Sequence, residues 1–210
     1  MSDHPKTLTT LDFLAMKRAG RKIVSLTAYD ALMARMLDAS GVDLILVGDS
    51  VNQVVAGRSS TLSATLDQMI YHAKAVQGAV RRALVVVDLP FLSYQVTPED
   101  AIRNAGRVLQ ETDAAAVKLE GGVTMAPTIR ALVERGIPVM GHIGLTPQSV
   151  HALGGYRVQG REEAAAMRLL ADAHAVEEAG AFSVVLELVP ASLATRVTKE
   201  LAIPTVGIGA

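Results

Sequence analysis

The sequence predicts an α/β protein of the (β/α)₈ TIM-barrel class, with about seven strands visible in its 210 residues. Three observations support this prediction. Short β-branched segments alternate with longer helical patterns along the whole chain, as in parallel sheets covered by helices. The segments are almost continuously apolar, which is typical of strands buried on both faces. Polar residues recur at the ends of these segments, where barrels carry their functional groups.

Seven segments are predicted as strands because each combines β-branched residues with turn signals at its ends. In chain order they are 22–29, 42–49, 83–89, 115–120, 137–143, 181–187 and 203–209. A doubly wound nucleotide-binding sheet would be expected to carry a Gly-rich turn after its first strand. The first strand here ends in Thr27–Asp30 without such a turn, so the barrel is favoured.

The predicted helices have recognisable ends. Asp30, Thr65 and Thr97 are residue types that cap helix N-termini, and Gly136 and Gly180 are typical of positions just past a C-terminus. In chain order the predicted helices are 9–19, 31–39, 66–80, one starting at 98, 124–135, 161–179 and 191–201.

Composition excludes several classes of function. The 20 basic and 21 acidic residues give a net charge of −1, without the positive field that nucleic-acid or anionic-membrane binding needs. The absence of cysteine excludes disulfides, thiolate zinc sites and a cysteine nucleophile. No apolar run reaches the roughly 20 residues of a membrane span, and the first residues do not resemble a signal peptide. A cytoplasmic protein with an aliphatic core is therefore expected, since only 3% of the residues are aromatic.

Acidic residues end three consecutive predicted strands: Asp49, Asp88 and Glu120. In a barrel these strand ends converge on one mouth. Clustered carboxylates repel one another unless a cation neutralises them, and hard oxygen ligands suit Mg²⁺ or a similar ion, directly or through water. Each acid alone could simply cap a loop, but the recurrence on three strands favours a metal site.

Three further strand-end residues could carry chemistry. Lys118 and Glu120 are two residues apart, so both side chains point into the barrel, where a lysine needs a carboxylate partner or a substrate anion; a Schiff base is a third use. Glu187 ends a strongly apolar strand, where burial favours a general base, with a capping carboxylate as the alternative. His142 could contact a substrate oxygen, orient a metal-bound group, or be a satisfied core histidine.

A metal with oxygen ligands beside a carboxylate base suits proton abstraction next to a carbonyl. The metal would hold a 2-oxo acid and stabilise its enolate. A non-catalytic barrel is the alternative from a different class, although a site without function has no reason to keep costly converging charges. This pattern predicts a class of reaction and leaves the substrate open.

Seven segments, in order along the chain, resemble the ketopantoate hydroxymethyltransferase family. They are Thr27–Asp30, Val47–Ser50, Asp88–Phe91, Lys118–Gly122, Gly141–Gln148, Gly154–Arg161 and Leu186–Pro190. The resemblance implies a barrel of the phosphoenolpyruvate/pyruvate superfamily. It also implies transfer of a hydroxymethyl group from 5,10-methylenetetrahydrofolate to 3-methyl-2-oxobutanoate, giving 2-dehydropantoate on the route to pantothenate and coenzyme A.

The resemblance also implies roles for individual residues. The implied Mg²⁺ site consists of Asp49, Asp88 and Glu120. The implied substrate contacts are Asp49, Ser50, Asp88 and Lys118, with His142 near the substrate. Glu187 is the implied proton acceptor, and a homo-oligomer, by resemblance a decamer, is the implied assembly.

The length leads to one more expectation. A complete barrel typically needs roughly 250 residues, and the family's barrel continues past Ala210 with an eighth strand and closing helices. We therefore expect residues 1–210 to form a single barrel domain that lacks its C-terminal part and exposes two sheet edges. The nearest enzyme alternative is a folate-independent carbon–carbon lyase or mutase acting on a 2-oxo acid, although isocitrate-type lyases use a cysteine that this chain lacks.

Overall fold

The computed structural model describes residues 6–210, which contain one sheet of seven parallel strands arranged in chain order. The strands are β1 (Ser25–Thr27), β2 (Leu44–Val47), β3 (Leu84–Asp88), β4 (Ala116–Glu120), β5 (Val139–Gly144), β6 (Ser183–Glu187) and β7 (Thr205–Ile208). Every predicted strand is present, which confirms the predicted alternation. Most are shorter than predicted, and β1 keeps only three residues of the segment 22–29.

Helices connect successive strands. They are α1 (Thr10–Arg18), α2 (Ala31–Ala39), α3 (Val51–Val54), α4 (Leu66–Gln77), α5 (Pro98–Thr112), α6 (Ala126–Val133), α7 (Glu163–Glu178) and α8 (Ala191–Glu200). The three predicted N-caps are confirmed, because the side chains of Asp30, Thr65 and Thr97 each accept a hydrogen bond from a backbone N–H three residues later. Within residues 6–210, no helix is both long enough and apolar enough to span a bilayer.

Two helix predictions differ from the structure, and one helix was not predicted. The predicted helix 66–80 ends at Gln77, because Gly78 takes the C-cap position. The predicted helix 124–135 begins with a 3₁₀ turn at Val123–Met125 and becomes α-helical only from Ala126. The short helix α3 was not predicted, since four residues are too few to show a helical hydrophobic period.

The inside of the barrel is filled by its own apolar cluster. Its buried members are Phe13, Leu44, Leu84, Val86, Ala116, Met140, Phe182 and Val185. Phe13 of α1 lies edge-on to Phe182 with ring centroids 6.1 Å apart. The cluster that Phe13 joins also contains Leu44 and Leu84, the first residues of β2 and β3. Helix α1 therefore covers the N-terminal end of the barrel, and the C-terminal end is left for polar groups.

The strand order is open between β1 and β7, each of which pairs on one side only. An apolar cavity of about 300 Å³ lies between them, lined in part by Leu26 and Ile208. These two side chains are 48% and 55% exposed. The two free sheet edges expected from the strand count are therefore present in the described residues.

Candidate active site

Parallel register brings the predicted polar residues together at the C-terminal ends of the strands. Asp88 on β3 is the register partner of Lys118 on β4, and Glu120 on β4 is the partner of His142 on β5. All four residues are buried, with 3–6% of each exposed. Glu187, the last residue of β6, pairs with Gly144 at the same end of β5.

The turn after β2 places Asp49 against Asp88. The backbone N–H of Asp49 donates to Oδ2 of Asp88 at 3.1 Å. Gly48 makes this turn possible, because a Cβ at that position would lie 2.8 Å from Oγ of Ser50. The Ser50 hydroxyl is in turn 2.8 Å from the hydroxyl of Tyr29, which fixes Ser50 at the rim of the site.

Lys118 is the buried cation of the site. Its Nζ lies 2.7 Å from Oδ1 of Asp88 and 3.0 Å from Nδ1 of His142. Burial disfavours its charge, but the carboxylates of Asp88, Glu120 and Asp49 together raise the pKa of Lys118. The ion-pair interpretation of Lys118 is therefore confirmed.

His142 connects Lys118 to Glu187. Burial and the Lys118 ammonium lower the pKa of His142, so its ring is neutral. Because the Lys118 ammonium can only donate, Nδ1 accepts, and the ring proton is assigned to Nε2. Nε2 lies 3.1 Å from Oε2 of Glu187, a close contact outside hydrogen-bond geometry, so the buried Nε2–H has no hydrogen-bond acceptor within the described residues. Glu187 is less buried than predicted: its side chain is 17% exposed and faces the mouth.

Two buried residues that were not predicted complete the site. Oε2 of Glu120 accepts from the backbone N–H of Gln148 at 2.9 Å, and the Gln148 side chain donates to Oδ2 of Asp49 at 2.9 Å. The hydroxyl of Tyr94 accepts from the backbone N–H of Glu120 at 3.1 Å. A polar residue in the turn after β5 is the one sequence signal that could have pointed to Gln148, since such turns form the mouth of a barrel.

The site has an excess of acidic groups. Burial, followed by the charge of Asp88, raises the pKa of Asp49 to about 6. Burial also raises the pKa of Glu120 to about 8, even though Lys118 attracts the charged form. Three carboxyl groups thus share one ammonium, and a bound cation would relieve this imbalance.

The donor set fits a hard divalent cation such as Mg²⁺. In the described part of the chain, no group of three or more His, Asp or Glu side chains is arranged to hold a metal ion by itself. Mg²⁺ characteristically uses one or two carboxylates and completes its coordination with waters and substrate oxygens. The adjacent Asp49 and Asp88 could bind such an ion directly or through water, with Glu120 reaching it through water.

These features define a parallel (β/α)-barrel enzyme with a buried acidic centre at the C-terminal mouth, the position of active sites in this fold. The chain is similar in fold to phosphonopyruvate hydrolase in complex with oxalate and Mg²⁺, at TM-score 0.70 and 13% identity over 96% of this chain and 72% of that chain. It is also similar to 2,3-dimethylmalate lyase, described as a PEP mutase/isocitrate lyase superfamily member, at TM-score 0.68 and 21% identity over 97% and 72% of the chains. This similarity concerns the fold.

Residues 7–210 match the sequence profile of the ketopantoate hydroxymethyltransferase family, and the chain belongs to that family. Proteins named 3-methyl-2-oxobutanoate hydroxymethyltransferase are close relatives. The one from Pelobacter propionicus is 57% identical over all of this chain and 78% of its own length. The one from Geotalea uraniireducens is 59% identical over 98% of this chain and 77% of its own length. The family resemblance seen in the sequence is confirmed.

Proposed function

We propose that this protein transfers a hydroxymethyl group to 3-methyl-2-oxobutanoate, giving 2-dehydropantoate. The relatives carrying the corresponding name support the substrate. The observation that carries the proposal is the pairing of Glu187 with a neutral His142 beside the buried group of Asp88 and Lys118. This arrangement sets a carboxylate base next to a centre suited to an oxo acid and a cation.

The oxo acid is proposed to bind at the mouth, over Asp49 and Asp88. Lys118 carries three N–H donors, of which Asp88 and His142 account for two, so the third is available to a substrate oxygen. The Ser50 hydroxyl, held by Tyr29, is the proposed second contact at the rim. Both groups donate to oxygen, which matches the carboxylate and keto groups of the substrate.

Asp49, Asp88 and Glu120 are the proposed Mg²⁺ residues. When bound, Mg²⁺ would polarise the keto group and stabilise the negative charge of the enolate. The chain contributes the position of these carboxylates. Asp88 is held by Lys118 and by the backbone N–H of Asp49, and Glu120 is held by the backbone N–H of Gln148.

Glu187 is the proposed base that removes the proton from C3 of the oxo acid. Nε2 of His142 lies beside one carboxylate oxygen of Glu187, and the other oxygen is proposed to take the proton. The methylene carbon of the proposed donor, 5,10-methylenetetrahydrofolate, is bonded to two folate nitrogens. The enolate carbon bonds to it as one carbon–nitrogen bond breaks, the oxygen of water replaces the second nitrogen, and the two nitrogens take up the C3 proton and one proton of water, which releases tetrahydrofolate. Water supplies the oxygen of the hydroxymethyl group.

The test measures two reactions of the purified chain with Mg²⁺. Exchange of the C3 proton of 3-methyl-2-oxobutanoate in D₂O, followed by NMR, reports enolate formation. Addition of 5,10-methylenetetrahydrofolate should then yield 2-dehydropantoate. We expect Glu187→Gln to slow exchange by roughly 10²–10⁴-fold, the usual contribution of a general base. The exposed Glu178, on the outer part of α7, provides the matched control Glu178→Gln, which should leave exchange unchanged.

Each outcome separates the candidate functions. Exchange without 2-dehydropantoate would favour the folate-independent lyase or mutase. Absence of both reactions would refute the proposed function, and exchange that survives Glu187→Gln would place the base elsewhere. The homo-oligomeric assembly and the cytoplasmic location stay predictions.

A further inference from the structure

Gln148 has more polar contacts at the site than a loop residue needs for its own turn. It lies in the 3₁₀ turn Pro147–Ser149 after β5 and is only 5% exposed. Its side-chain Nε2 donates to Oδ2 of Asp49 at 2.9 Å and to the backbone carbonyl of Leu89 at 3.0 Å. The backbone N–H of Gln148 donates to Oε2 of Glu120 at 2.9 Å. One residue thus contacts the chain at the ends of β2, β3 and β4.

The other end of the amide is equally occupied. Oε1 of Gln148 accepts from the hydroxyl of Tyr94 at 2.7 Å and from Nε2 of Gln95 at 3.0 Å. An amide has two N–H donors and two acceptor positions, so all four are used. A flipped amide would point its oxygen at Asp49 and at the Leu89 carbonyl, neither of which can donate. The orientation of Gln148 is therefore fixed by its partners.

These bonds act on two of the three carboxyl groups proposed to bind the cation. Asp49 and Glu120 are both buried carboxyl groups, and burial raises the pKa of each. Gln148 holds one oxygen of each and does not engage Oδ1 of Asp49 or Oε1 of Glu120. Its bond to Leu89 also holds the residue that follows Asp88.

We propose that Gln148 is a positioning residue that holds Asp49 and Glu120 for cation and oxo-acid binding, with Tyr94 fixing the orientation of its amide. This inference rests on the proposed function, because it assigns Gln148 a role toward the cation proposed for this site. A merely structural role in the loop after β5 would make Gln148 important for stability and would leave the affinity for the cation unchanged.

The main variant is Gln148→Met, which keeps the length of the side chain and removes its hydrogen bonds. Mg²⁺ binding is measured by calorimetry on the metal-stripped chain with 3-methyl-2-oxobutanoate present, and thermal unfolding is measured beside it. Loss of a hydrogen bond to a charged group typically weakens an interaction by about tenfold or more, and we expect that loss of Mg²⁺ affinity. The matched control is Gln77→Met at the end of α4, which should bind Mg²⁺ like the wild type.

Tyr94→Phe is the second variant and decides the question if Gln148→Met does not fold. It removes the hydroxyl that donates to Oε1 of Gln148, so we expect Mg²⁺ affinity to fall in the same direction but by less. A folded variant with Mg²⁺ affinity within about twofold of the wild type, or a wild type that binds no Mg²⁺, would overturn the inference.

Calorimetry does not depend on turnover, so the two proposals can fail separately. If the wild type binds Mg²⁺ but forms no 2-dehydropantoate, the proposed function is wrong, and the binding comparison still decides the role of Gln148. If the wild type forms product and both variants bind Mg²⁺ normally, the proposed function stands and Gln148 is structural.

Discussion

Lys118 stays charged inside the barrel because three strands supply its counter-charges. A buried ammonium is costly unless carboxylates compensate it. Asp88 lies 2.7 Å away on the neighbouring strand, and the charges of Glu120 and Asp49 add to its effect. Burial, followed by the charge of Lys118, lowers the pKa of the neighbouring His142.

Asp88→Asn tests the proposed metal site at the scale of one residue. Asparagine keeps the shape of the side chain but removes the charge facing Lys118 and the proposed Mg²⁺. We expect the Mg²⁺ concentration needed for half-maximal 2-dehydropantoate formation to rise at least tenfold, the size of effect that removing one charge-assisted contact produces. Rates measured over a Mg²⁺ series give this value.

Asp113→Asn is the matched control for Asp88→Asn. Asp113 is exposed and adopts φ 57°, a left-handed conformation that asparagine also tolerates. The Asp113→Asn variant should need the same Mg²⁺ concentration as the wild type for half-maximal 2-dehydropantoate formation. An unchanged Mg²⁺ dependence in Asp88→Asn would remove Asp88 from the metal site.

Sequence reasoning pointed to polar residues at strand ends or directly after them, such as Asp49, and missed those that reach the candidate site from farther along the loops. Glu187 and Lys118 were predictable because a polar residue within an apolar strand stands out locally. Gln148 and Tyr94 lie in turns, where polar and aromatic residues are ordinary. Their importance arises from contacts such as that between Gln148 and Asp49, which are 99 residues apart.

At the scale of elements, α7 is fixed to the loop after β4 through Asp172. Oδ1 of Asp172 accepts from the backbone N–H of Val123 at 2.9 Å. Gly122 permits this approach, because a Cβ there would lie 2.0 Å from Oδ1 of Asp172. The loop that follows Glu120 is thereby held against the outer helix layer.

Gly122→Ala should destabilise the protein by about 1–3 kcal/mol, because the added methyl group overlaps Asp172 and forces the loop and α7 apart. Gly106→Ala is the matched control. Gly106 lies within α5 with open space around its Cβ position, so alanine there should stabilise the protein by about 0.5–1 kcal/mol. Urea unfolding of both variants measures the two free energies. Equal effects would show that the contact with Asp172 carries no strain.

The strands were predicted in number and order but too long, and the reason lies in pairing. A segment counts as a strand only where it pairs with an extended neighbouring segment. β1 pairs with β2 over three register pairs, so it has only three residues. Lys22 and Ile23 lie outside this pairing, and Val24 bonds to Asp43 and Leu44 without being part of the strand. Helix α3 was not predicted for a related reason. Its position depends on the turn at Gly48 and not on a hydrophobic period in its own four residues.

At the scale of the whole molecule, the barrel is closed at its N-terminal end by α1 and open along the β1–β7 seam. Phe13 of α1 is fully buried and contacts Phe182 within the interior cluster. Side chains from β2 to β6 meet in this cluster, so its packing couples distant strands. Of the two edge strands, β7 contributes only the partly buried Val206 to this packing.

Phe13→Ala should therefore destabilise the entire barrel, by about 3–5 kcal/mol, since it leaves a cavity in the shared interior. Leu11→Ala on the same helix is the control. Leu11 is 73% exposed, so its truncation should cost less than about 0.5 kcal/mol. Urea unfolding followed by circular dichroism compares the two, and a similar small cost for both would show that α1 does not stabilise the barrel.

The sequence by itself determined the alternation of strands and helices, the barrel class and the chemical groups at the strand ends. These features are local, because each follows from periodicity, capping residues or a polar residue at the end of an apolar run. Only the tertiary structure decided which groups touch: the partners of Lys118, the proton on Nε2 of His142 and the network of Gln148. Such contacts join residues from 24 to 99 positions apart, and strand register and turn geometry select them.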